Sequence, residues 1–167
     1  MKITDAWPYL AVHPSKSYPL RQLHSIDSVV VHHSAGAWRK DRDTLQQLKD
    51  YANYHVKSRG WPGIGYHYAI DPAGAVFKTN PLTRACYHAK GGNAHSVGVV
   101  LIGDFTSEPP AEKQWDALRL LLAELKRGLP GLRELKGHRE VEGSSTACPG
   151  NRLTAAMLDE LREALKT

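Results

Sequence analysis

The sequence predicts a single α/β domain with a mixed central β-sheet flanked by helices on both faces. Three observations predict it. Short β-branched or apolar runs at 28–32, 66–70, 75–78 and 96–102 have the length of strands. Longer stretches with apolar residues three and four apart read as amphipathic helices. The two kinds of segment interleave along 167 residues, a length that supports one hydrophobic core.

Taken in order, the first 27 residues carry Pro8, Pro14 and Pro19 and read as an irregular arm wrapped on a domain that occupies 28–167. Ser28-Val29-Val30-Val31-His32 is the continuous β-branched run of a buried central strand. It delivers His32 and His33 to a loop. Asp43 or Thr44 caps a helix to about Ser58, with Leu45, Leu48, Ala52 and His55 on one face. Arg59-Gly60-Trp61-Pro62-Gly63 breaks it. A strand at 66–70, a turn at Asp71-Pro72-Ala73-Gly74 and a partner strand at 75–78 form a hairpin. A further apolar strand spans 96–102.

Pro109-Pro110 fits the first turn of a helix whose stripe is Trp115, Leu118, Leu121, Leu122 and Leu125, closed by Gly128 and Pro130. A short strand at 132–136 leads into Gly137-His138-Arg139. The last helix follows Pro149-Gly150-Asn151 and buries Leu153, Met157, Leu158, Leu161 and Leu165.

Composition removes several function classes. With 41% hydrophobic and 23% charged residues the chain is neither disordered nor collagen-like. No run approaches the roughly 20 apolar residues of a membrane helix, so no membrane insertion is expected. The N-terminus lacks the apolar core of a secretory signal, so synthesis in the cytoplasm is expected. Two cysteines allow at most one disulfide. A net charge of +5 fits simple solubility or an anionic partner, such as nucleic acid or bacterial cell wall. No zinc-finger spacing, helix-turn-helix or stacking pattern supports a specific nucleic-acid partner.

Nine histidines are too many to assign by type alone. His13 and His24 fall in the arm and His55 on a helix. His32, His33, His88 and His138 fall at or beyond strand ends, where open sheets bind ligands. Cys148 lies in the polar loop Ser144-Ser145-Thr146-Ala147-Cys148-Pro149-Gly150, ten positions after His138. Two imidazoles and a thiolate make a catalytic zinc site when a fourth position stays open. A packed cysteine among unrelated histidines is the alternative, and spacing alone leaves both open.

Five ordered motifs resemble one family. They are Val29-Val30-Val31-His32-His33-Ser34-Ala35-Gly36, Gly65-Tyr66-His67-Tyr68-Ala69-Ile70, Asn93-Ala94-His95-Ser96-Val97-Gly98-Val99 with Gly103-Asp104-Phe105, Gly137-His138-Arg139-Glu140-Val141, and Thr146-Ala147-Cys148-Pro149-Gly150. In this order they resemble the zinc-dependent N-acetylmuramoyl-L-alanine amidases, which include peptidoglycan recognition proteins and phage amidase-type lysozymes.

The resemblance implies one zinc ion per chain, held by His32, His138 and Cys148. It implies Tyr66 and Thr146 as catalytic residues, and His88 and Asn93 as substrate-binding residues lining a groove. The expected reaction is hydrolysis of the amide between N-acetylmuramic acid and L-alanine in bacterial peptidoglycan. Cys148, Thr146 and Val100 depart from the cytosolic recycling branch, which carries a carboxylate ligand, a lysine and a glutamate there. A phage or prophage endolysin is therefore expected, monomeric, released from the host cytoplasm to reach the wall. A non-catalytic peptidoglycan-binding module is the rival reading, and such relatives usually lose the cysteine. Glu140, Glu142 and His88 stand as possible proton carriers. Trp61 and Arg84 are weaker substrate contacts, Lys16 and Arg21 are wall-binding cations of the arm, and Cys86 is a packed core residue.

Overall fold

A computed structural model describes residues 1–166; residue 167, the last of the expected domain, lies outside them. Six strands, β1 (Ile3–Asp5), β2 (Ser28–His33), β3 (Tyr68–Ile70), β4 (Val76–Lys78), β5 (Ser96–Leu101) and β6 (Glu134–Gly137), form one sheet. Their order is β1-β4-β3-β5-β2-β6. Only β3 and β4 pair antiparallel, as a hairpin. Every other neighbouring pair is parallel, so the sheet is mixed as expected.

Three helices cover it: α1 (Thr44–Lys57), α2 (Glu112–Gly128) and α3 (Ala155–Lys166). Side chains alternate along a strand, and the alternation divides the core. Val29, Val31, Val97, Val99 and Leu101 pack with Leu118, Leu121 and Leu125 of α2 and Leu158, Leu161 and Leu165 of α3. Ala69, Val100 and Ile102 face the other way, against Leu48 and Ala52 of α1. Val30 meets Ala89 and Val141 from two loops. His32 shares the face of Val30, under those loops.

The arm differs from its irregular reading. Ile3–Asp5 pairs in parallel with β4 as the sheet edge, and Ala6, Leu10, Tyr18 and Ile26 are buried. Arg21 fastens the rest. Its guanidinium donates to the carbonyls of Leu82, Asn93 and Ser96, so it is not a free wall-binding cation. The double proline precedes α2 rather than opening it. Pro109 precedes a proline and is driven out of the helical region, and Ala111 is extended at ψ 146°, so helix begins only at Glu112. The strand read at 66–70 is shorter, and Tyr66 and His67 precede β3. β6 starts two residues later than expected, because Leu132 turns into the core.

Two buried histidines stitch loops to this frame. His55 accepts the Gly65 N–H at 3.0 Å, and burial, with Arg59 nearby, lowers its pKa to about 4. His67 accepts the Gly98 N–H at 3.0 Å and approaches the Arg84 carbonyl at 2.7 Å; burial lowers its pKa to about 3. Both rings are neutral when folded and regain ordinary basicity when unfolded. The unfolded chain therefore binds more protons below about pH 6.5. Stability present above that pH is lost as pH falls toward 4, with His55 alone contributing on the order of 3 kcal/mol. Thermal unfolding of the metal-free protein across pH 4–7.5 is expected to show this slope. His55→Asn, which keeps an acceptor for Gly65, is expected to flatten it.

Candidate metal centre

Strand register builds the site. β6 runs parallel to β2 with Gly137 opposite Val31, so the next residues, His138 and His32, emerge at the same level. Their ring centroids lie 4.6 Å apart. Cys148 arrives on a loop, and its Sγ stands 3.7 Å from His32 Nδ1. The three donor atoms all lie within 4.8 Å of one another. Tetrahedral zinc, with bonds of about 2.0 to 2.3 Å, separates imidazole and thiolate donors by about 3.3 to 3.8 Å. The donor set therefore fits that ion in chemistry, and the 3.7 Å between Cys148 Sγ and His32 Nδ1 falls within that range.

Hydrogen bonds beside the thiol hold this loop. The Arg139 N–H donates to the Cys148 carbonyl at 2.9 Å, and Thr146 Oγ1 accepts the Cys148 N–H at 3.1 Å. The Arg139 guanidinium donates to the Gly150 and Leu153 carbonyls. Glu140 accepts the Gly137 N–H at 2.6 Å and pairs with Arg162. That carboxylate is committed to bracing β6 and α3 and is not a base facing the site. Sequence reasoning missed this brace, although Gly-x-x-Glu at 137–140 has the spacing of a helix-capping pair.

Electrostatics suit metal ligation. Burial holds the His32 pKa well below its ordinary value, reinforced by His138 and His33, and burial lowers His138 as well. Both rings are neutral near pH 7, as a metal ligand requires. Burial raises the Cys148 thiol to about 11, so in the metal-free site the proton stays on sulfur and a bound cation must displace it.

The other expected residues divide. His33 points to the opposite face, where its Nδ1 accepts the Phe105 N–H at 3.2 Å. The Tyr66 ring stands 5.2 Å from His32, and burial raises its hydroxyl pKa, so the phenol stays protonated. Thr146 is exposed beside Cys148. His88 is buried beneath His32, with its Nδ1 3.1 Å from His32 Nε2. Asn93 Oδ1 is occupied by the N–H groups of His88 and Ala89, at 3.0 and 2.8 Å. Trp61 packs on His55, and Arg84 stands over the Trp7 ring. Cys86 is fully buried, and neither cysteine is in a disulfide. Lys16 donates to the Gly60 carbonyl.

Residues 22–151 match the family model described as N-acetylmuramoyl-L-alanine amidase. Peptidoglycan-recognition protein LB of Drosophila melanogaster is 34% identical over 131 residues, covering 76% of this chain. The chain spans just over half, 56%, of that relative's length. Among solved structures, the endolysin N-acetylmuramoyl-L-alanine amidase LysCS of Clostridium intestinale is similar at TM-score 0.76 and 28% identity, covering 99% of this chain and 96% of its own. Peptidoglycan recognition protein-LE, solved with tracheal cytotoxin, is similar at TM-score 0.79 and 27% identity, covering 96% and 92%.

The turn under His88 supplies a test of the local geometry. Asn93→Ala leaves two backbone N–H groups without their acceptor. It is expected to lower the free energy of unfolding by about 1–3 kcal/mol in a urea titration.

Proposed function

The chain belongs to the N-acetylmuramoyl-L-alanine amidase family, and from that premise we propose that it is a zinc hydrolase of bacterial peptidoglycan. The bond cleaved is the amide joining N-acetylmuramic acid to L-alanine. The observation that carries this reading is the converged His32, His138 and Cys148 donor set. When bound there, zinc polarises the amide carbonyl and lowers the pKa of its water. Two neutral imidazoles and one thiolate leave such a site with net charge +1, suited to a developing oxyanion.

The chain's own groups do the rest. Tyr66, kept protonated by burial, donates its hydroxyl hydrogen to the carbonyl oxygen as that oxygen gains charge. Thr146, exposed on the ligand loop, offers a second hydroxyl from the other side. Its oxygen already accepts the Cys148 N–H, which leaves its hydrogen for the substrate. Glu140 is engaged elsewhere and His88 lies beneath His32, so neither carries a proton to the leaving amine.

We further propose a phage or prophage endolysin that acts on the wall after release from the host cytoplasm. The cysteine ligand, the accompanying Thr146 and the likeness to LysCS support that role. The net charge of +5 draws the protein to an anionic wall. All three donors come from one chain, so a monomer suffices. No helix among the described residues is long and apolar enough to cross a membrane.

Mass spectrometry of digested peptidoglycan tests the reading. New free L-alanine amino termini are expected, lost with a chelator and restored by zinc. Tyr66→Phe is expected to retain zinc and lose on the order of a hundredfold in turnover. Cys148→Ala is expected to lose both metal and activity. A zinc-loaded protein that binds wall and releases no such termini is a recognition module instead.

A further inference from the structure

We propose that His88 and Ser96 are positioning residues that lock the His32 imidazole into a single tautomer, with its lone pair on Nδ1 toward Cys148. The inference rests on the reading of His32 as a metal ligand and adds what makes it one.

The polarity is set at the buried end. Ser96 Oγ lies 2.7 Å from the Gly92 carbonyl. A carbonyl only accepts, so the single hydroxyl hydrogen is used there. Ser96 Oγ also lies 3.3 Å from His88 Nε2 and must accept from it. His88 therefore carries its hydrogen on Nε2. A neutral imidazole has one N–H, which leaves His88 Nδ1 as an acceptor. That atom stands 3.1 Å from His32 Nε2. His32 must then carry its hydrogen on Nε2, and its Nδ1 is bare, 3.7 Å from Cys148 Sγ. Each assignment follows from the one before, and the first is fixed by a backbone carbonyl that cannot reverse.

The surroundings fix the middle ring. Asn93 holds the backbone of His88. Gly98, at the centre of β5, leaves the room the ring needs: a Cβ there would stand 2.5 Å from His88 Cγ. His88 is edge-on to His32 on one side and to His67 on the other, at centroid distances of 5.2 and 5.7 Å. His67 in turn holds the N–H of Gly98. His88 thus reaches the metal site by its hydrogen bond to His32.

Two measurements test this. Long-range nitrogen–proton NMR on the metal-free wild-type protein is expected to show both His32 and His88 as Nε2–H tautomers. A His32 found as Nδ1–H overturns the inference, whether or not zinc binds. Zinc affinity is then read by competition with a chromophoric chelator. His88→Leu is expected to weaken zinc by about 10- to 100-fold, the usual effect of losing a ligand's hydrogen-bond partner. His88→Asn, whose Oδ1 can accept in place of Nδ1, is expected to remain close to wild type. Ser96→Ala is expected to fall between. A folded His88→Leu protein with wild-type affinity, or equal losses in the Leu and Asn variants, overturns the inference. Should His88→Leu not fold, the wild-type tautomers still decide. A wild-type protein that binds no zinc defeats the metal-centre reading separately.

Discussion

The parallel ladder between β2 and β6 is the constraint from which the site follows. Parallel strands end at the same edge of a sheet, and their register decides which residues leave it together. Pairing Val31 with Gly137 leaves two histidines, 106 positions apart in sequence, side by side. A one-residue slip would turn His138 to the opposite face. The buried β-branched side chains of β2, matched on its other edge by the apolar run of β5, prevent that slip. Two of the three donors are thus set by the buried sheet, while the third comes from a loop.

Burying histidine is a second constraint, and the fold meets it in one recurring way. Five of the nine histidines, His32, His33, His55, His67 and His88, are buried. Desolvation disfavours the charged ring, so each is neutral and has one lone pair to satisfy. His33, His55 and His67 fill it with a backbone N–H, and His88 with the ring of His32. Among these five, only His32 turns its lone pair toward other metal donors. The neighbours His32 and His33 differ because strand alternation sends them to opposite faces.

Much of this was legible in the sequence, for reasons that can be named. Continuous β-branched runs marked β2 and β5, and the leucine stripes of α2 and α3 marked the faces that pack on them. The donor triad was not legible from spacing, since no periodicity links residues so far apart; it came through a family resemblance. β1 was missed because Ile3-Thr4-Asp5 carries no pattern longer than three residues and finds its partner 73 positions away. The structural contacts of His88 and Asn93 were not legible, because a turn beside a strand end reads the same from either side of a site. Only coordinates show which way the ring lies.

The loop carrying Cys148 has a further implication. Its hold on the domain passes through backbone atoms of Cys148, through the Thr146 hydroxyl and through the Arg139 side chain. The thiol adds a contact with His32 Nδ1 at 3.7 Å and is not needed for the others. A substitution at position 148 would remove one of the three converged donors while the backbone, Thr146 and Arg139 contacts of the loop stay in place. In such an architecture, losing a donor and losing the fold are separate events.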